Sequence, residues 1–288
     1  LFVAISFVFG LAGSANAVSP NTIAIRVISN PKHYSALHWY QEQKFTGSPQ
    51  SSSVDGYEAV RDGRTVYVDV GNVEDSNNDG VNDVLYTNIY LISYDQKAEG
   101  ATVDIFGRML QHWKFNTNLA GNAGSCSITA ADNCVYSSDC PRDEFCLSDK
   151  AKVIRDTRRL ADLADLGASL ENFYSKNGYY PQLASGSYLP DKTISVWPSW
   201  EQTLGSELGI ITPVDPINKL GDCGGAQFDP VTCWDDNAKS FAVPGAASLP
   251  LSSHAYLYST DASGSAYDLN LNFEAGTLDA AGNYHYTH

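Results

Sequence analysis

Residues 75–83 read Asp-Ser-Asn-Asn-Asp-Gly-Val-Asn-Asp, and no other stretch of the chain carries so clear a chemical pattern. Asp75, Asn77, Asp79 and Asp83 supply side-chain oxygens, and Val81 offers its backbone carbonyl. Calcium takes six to eight oxygens on a tight loop, and Gly80 permits the sharp turn that such a loop needs. The position where a calcium loop often places a bidentate Glu holds Tyr86, so a further ligand must come from elsewhere, with Glu74 the nearest acid. The same residue types also build a plain turn between strands. The expectation is a structural calcium ion that pins the loop ahead of the strand starting at Val84.

The other chemistry-bearing residues are weaker. A second acidic loop, Asp261 to Asp268, has few carboxylates and reads as a turn. Of the histidines, His33 and His38 flank Tyr34, Trp39 and Tyr40, so packing against rings is expected rather than ligation. No nucleophile elbow, phosphate loop, dinucleotide fingerprint or His-Glu-x-x-His is present, and no catalytic residue is assigned. The basic cluster Lys150, Lys152, Arg155, Arg158 and Arg159 could dock on an acidic face of this chain or of a partner; a solvated helix start is the expectation.

The elements that position these residues follow from composition and pattern. The chain has 288 residues with a formal charge of −15, which disfavours nucleic acid as a partner. Residues 1–17 are uncharged and end in Ala15-Asn16-Ala17, as the tail of a signal peptide whose start lies upstream would. No other stretch is apolar enough to span a membrane, so none is expected in the mature chain. Six cysteines follow: Cys126, Cys134, Cys140, Cys146, Cys223 and Cys233. An even number in an exported chain points to disulfides, with the connectivity of the first four left open. An extracytoplasmic location, secreted or at the cell surface, is expected.

The fold expected is α+β in two domains. Residues 18–119 form the first, with strands at Thr22–Ile28, Thr65–Val70 and Val84–Ser93 and helices near Tyr34–Lys44 and Ala101–Phe115. Residues 120–150 are small, polar and Cys-rich, a stapled linker. Residues 151–288 form the second. There a helix over Lys152–Lys176 carries Leu160, Leu163, Leu166 and Leu170 on one stripe and stops at Gly178. A hairpin, His254–Thr260 and Tyr267–Phe273, closes the block.

Residues 155–181, with Gly178-Tyr179-Tyr180-Pro181 ending the helix, resemble the distal helix of type IV pilins and type II secretion pseudopilins. Pro213-Val214-Asp215-Pro216 is similar to the Pro-x-Asp-Pro segment of that family, and the closing hairpin is similar to its final strands. The loop at residues 75–83 resembles those of extracellular calcium modules such as dockerin-like and thrombospondin-type repeats. The pilin resemblance implies a long helix packed on a small antiparallel sheet, without the family's apolar spine helix directly before it. It further implies pilus or secretion-system components, or the envelope surface, as partners. The resulting expectation is an exported structural or adhesive surface protein, calcium-stabilised. The alternative is a secreted glycan- or peptide-binding module; a hydrolase with an unrecognised carboxylate site is a third reading.

Overall fold

The computed structural model describes residues 21–74, 84–119, 123–130, 133–184, 187–221, 227–229, 232–238, 240–242, 249, 253–274 and the backbone of 284–286. The signal-peptide reading and the calcium ligands Asp75, Asn77, Asp79, Val81 and Asp83 fall outside the described residues, as does Cys223.

The chain is α+β. Five antiparallel strands make the first sheet: β1 (Ile23–Ser29), β2 (Gln50–Val54), β3 (Tyr57–Asp62), β4 (Thr65–Glu74) and β5 (Val84–Tyr94), in the order β1-β5-β4-β3-β2. Helix α1 (Ala36–Glu42) precedes β2, and α2 (Gly100–His112) follows β5. Alternation along the central strand β4 explains the layering. Val66, Val68 and Val70 join a core with Phe106 of α2, while Tyr67 joins Trp39 and Tyr40 of α1 on the opposite face. Asp69 and Gly71 share the Tyr67 face by the same alternation. The hairpin β2–β3 turns at Asp55 (φ 54) and Gly56 (φ 85), the left-handed pair that a tight two-residue hairpin requires.

The stapled segment contributes the short pair β6 (Gly124–Ser125) and β7 (Asn133–Cys134), held by Cys126–Cys140 and Cys134–Cys146. The two crosslinks interleave and close on a small core with Ala151. They span 14 and 12 residues, so each is expected to contribute about 3 kcal/mol by limiting the unfolded chain. Reduction should therefore lower the urea midpoint and raise amide exchange first at the start of the helix that follows. Unchanged exchange at Ala151–Arg155 after reduction would show that the staples do not support that helix.

That helix, α3 (Asp149–Asn177), runs 29 residues, about 43 Å. The Ser148 hydroxyl caps it by accepting from the Ala151 N–H, and Gly178 ends it in the left-handed conformation at φ 79. Its first half lies on the first sheet. A Cβ on Gly71 would sit 2.0 Å from Thr157 Oγ1, so glycine is what lets β4 and the helix approach. The second half of α3 buries Leu163, Leu166 and Leu170 against the other sheet.

The second sheet has the order β13-β12-β11-β8. It comprises β8 (Lys192–Ile194), β11 (Leu257–Thr260), β12 (Tyr267–Leu271) and β13 (Tyr284–Tyr286), and the small pair β9 (Trp234–Asp235) and β10 (Ser240–Phe241) lies between β8 and β11 in sequence. Tyr256, Tyr258, Leu269 and Leu271 meet the leucines of α3, and Trp200 fills the end of this core with its Nε1–H donated to the Pro213 carbonyl. Among the described residues no helix is long and apolar enough to cross a membrane.

Candidate functional site

The polar first half of α3 is the chemical centre of the described structure. Three of the basic residues expected to be solvated are buried instead. Lys150 and Asp55 are both fully enclosed, with Nζ 2.6 Å from Oδ2; Lys114 and the Tyr136 hydroxyl donate to the other oxygen of Asp55. Arg155 binds Glu274 through Nε and Nη2 at 2.5 and 2.6 Å. Arg159 binds Asp215 through Nε and Nη2 at 2.6 and 3.0 Å, while its Nη1 reaches Asp156 and Glu274, each at 2.7 Å. Only Arg158 and Lys152 keep substantial exposure, at 45% and 30% of the side chain. These side chains are buried rather than solvated because, Asp156 apart, the acids that receive them stand far away in sequence, 56 residues for Asp215 and 119 for Glu274.

Burial costs a charge several kcal/mol unless a partner restores its solvation, and these carboxylates show both outcomes. Burial pushes Asp55 and Glu274 up, but hydrogen bonds from Lys150, Tyr136, the Phe115 N–H and Lys114 on the one, and hydrogen bonds and charge from Arg155 and Arg159 on the other, hold both below the ordinary range. For Asp162 burial wins: its pKa rises to about 7 although the Tyr256 hydroxyl donates to it and Arg158 lies 3.6 Å away. Asp69, 3% exposed, is also raised well above the ordinary value. Burial is the main cause; one hydrogen bond from Asn30 opposes it, and the nearby charges of Glu58 and Asp165 reinforce it.

A cleft of about 340 Å³ opens between the first sheet, the first half of α3 and the stapled segment. Glu58, Asp69, Tyr136, Phe145, Arg155 and Arg158 are among its walls. The crosslinked segment is thus also a wall, with the Phe145 ring 5.2 Å from the Arg155 guanidinium carbon.

Further along α3 a shallower hollow of about 310 Å³ holds Ser35, His38 and Asp165. His38 Nδ1 lies 2.6 Å from Asp165 Oδ1, and the Ser35 hydroxyl donates to Oδ2 at 2.7 Å. The serine is spent on the carboxylate rather than on the imidazole, so the three do not form a nucleophile–base–orienter relay. They tie α1 to α3. The expected ring packing of His38 is present, stacked on Tyr34 at 3.8 Å, but its acid partner came from α3 and had no local signal.

The remaining candidates resolve simply. Asp261 organises its own turn, accepting from Ser263 and Ser265, and the Ser265 hydroxyl above all holds its pKa down to about 2. Cys233 is disulfide-bonded. The only cluster at metal-ligand spacing among the described residues is Cys126, Cys134 and Cys140, whose sulfurs are consumed in crosslinks. The ends of the proposed calcium loop are joined, since Glu74 and Val84 are paired at the close of the β4–β5 ladder. Comparison with family models, curated proteins and solved structures finds no match for this chain.

Proposed function

We propose that this chain is an exported structural or adhesive component of the cell surface, built around a pseudopilin-like head and stabilised by calcium. The observation that carries the reading is the pairing of one uninterrupted helix with a closing antiparallel hairpin. Leu163, Leu166 and Leu170 lie under Tyr256, Tyr258 and Leu269, and the turn at Gly178–Pro181 is tied back by the Tyr180 N–H donating to the Gly264 carbonyl. Asp215, in the Pro-x-Asp-Pro segment, adds a function for that motif: it anchors the loop by receiving Arg159. Two interleaved disulfides support an extracytoplasmic location. Immunogold labelling of native cells with antibody to residues 151–288 tests the assignment. Gold on filaments or at discrete envelope sites supports it, and protein found only free in the medium removes it.

The calcium part has its own test. The donor set of Asp75, Asn77, Asp79, Asp83 and the Val81 carbonyl is all hard oxygen, and its two ends are pinned on paired strands. Calcium bound only by the folded chain raises the melting temperature by mass action. Native protein is expected to melt several degrees higher in calcium than in chelator, and Asp79→Ala to lose that difference. An unchanged calcium response in Asp79→Ala would reduce the loop to a turn.

A further inference from the structure

Among the described residues Asp69 is a buried acid that joins none of these ion pairs. It sits on the central strand of the first sheet and lines the cleft while being almost wholly removed from solvent. Its hydrogen-bond partner is the Asn30 amide, at 3.1 Å from Oδ1. The cations that share the cleft are committed elsewhere, Arg155 to Glu274 and Arg158 to Glu58 at 3.3 Å and Asp162 at 3.6 Å. Glu58, on the neighbouring strand β3 and the same face, adds a second carboxylate to the walls, and Glu144 of the stapled segment a third. Asp165 adds its negative field from α3, with His38 Nδ1 of α1 2.6 Å from its Oδ1.

We propose that the cleft binds an organic ligand through a primary alkylammonium group, which becomes the missing counter-charge of Asp69. A buried carboxylate without a cation is costly, and a ligand that supplies one recovers that cost as affinity. The cavity volume falls in the range of small-molecule sites. Its walls also favour an aliphatic stem over a bare ion. Ala36, Ala151, Ile154 and Ala161 line it, and among the described residues no carboxylates converge at metal-ligand spacing there. This site does not depend on the surface-component reading, because it uses the first sheet and the start of α3 rather than the hairpin.

The proton balance gives the test. Where Asp69 carries a proton, binding R–NH3⁺ expels that proton to the buffer, so affinity rises with pH until the free protein is already ionised. The probes are n-pentylammonium and Nα-acetyl-lysine amide, titrated by calorimetry into the full chain at pH 5 and pH 8 in two buffers of different ionisation heat, with pentanol and calcium chloride as controls. The expected result is saturable binding of both amines that tightens with pH and releases protons, with pentanol and calcium failing to compete. Asp69→Asn keeps the side-chain shape and is expected to weaken amine binding about tenfold or more and to abolish its share of the proton release. Comparison with this variant also separates protons of His38 from those of Asp69. Absence of saturable amine binding to the native protein overturns the proposal. So does equal affinity in Asp69→Asn, or displacement of the amines by calcium. If Asp69→Asn does not fold, His38→Gln gives the second reading: amine binding that still tightens with pH and still releases protons without the imidazole supports the proposal, and loss of both overturns it.

Discussion

Arg159→Met is expected to lower the unfolding free energy by about 3–5 kcal/mol, read as a fall in the urea midpoint at unchanged slope. Methionine approximates the stem of arginine, so little packing is lost. What is lost is the cation shared by Asp156, Asp215 and Glu274, whose side chains are 0%, 0% and 6% exposed. Arg155 remains on Glu274, but nothing comparable remains for Asp215, which also accepts the N–H groups of Ile217 and Asn218 and so sets the loop. Lysine is expected to rescue little, because a single ammonium cannot span both oxygens of Asp215 and still reach Asp156 and Glu274. Removing the charge on both sides, Arg159→Met with Asp215→Asn, should recover part of the loss, since the cost arises from an unpaired buried charge rather than from the absence of a bond. If Arg159→Met unfolds at the native urea concentration, the cation of Arg159 contributes no net stability.

The contrast within α3 also shows what a sequence can and cannot disclose. Its second half was legible: Leu163, Leu166 and Leu170 recur at helical spacing because apolar burial leaves a periodic trace. So did its end, where Gly178 takes the conformation expected of a cap. The first half hides part of its buried face, because beside Ala151, Val153, Leu160 and Ala161 it buries Lys150, Arg155, Asp156, Thr157 and Arg159, which hydropathy assigns to solvent. Apart from the pair Arg159–Asp156 within the helix, their charged partners are set by tertiary folding. The hairpin β2–β3 leaves little trace in the sequence for a related reason. Gln50–Val54 is an edge strand rich in serine, with no apolar alternation, although Asp55-Gly56 was a readable hairpin turn. Asp69 was inside a strand that was recognised, Thr65–Val70, and a lone carboxylate on the alternate face of a buried strand was the available clue to the cleft. The other walls, from α1, α3 and the stapled segment, left no sign of convergence in one dimension. The disulfide pairing was likewise open until the segment folded, because four closely spaced cysteines permit three connectivities.

Asp162→Asn is expected to stabilise the protein at and above neutral pH by about 4 kcal/mol and to do almost nothing near pH 4. The folded pKa of about 7 exceeds the unfolded value near 4, so the native state holds the proton more tightly. Between those two values the native state therefore binds more protons than the unfolded chain, and stability falls as pH rises. The loss begins near pH 4 and is complete somewhat above pH 7, where both states are ionised. Asparagine removes the charge but can still accept from the Tyr256 hydroxyl, so the contact at 2.8 Å survives while the desolvation cost does not. Asp69 acts in the same direction. Asp55 and Glu274 act in the opposite one: their pKa values are lowered, so their contribution is present above the unfolded values near 4 and is lost as pH falls through the folded ones. His33 and His254, whose pKa values burial lowers, oppose the decline up to their unfolded value near 6.5, so the contribution of Asp162 is read as the difference between native and Asp162→Asn protein at each pH. Melting temperatures of native and Asp162→Asn protein from pH 4 to 9 decide this. Two parallel curves, offset equally at every pH, would mean that Asp162 ionises as it does in the unfolded chain and that its burial imposes no pH-dependent cost.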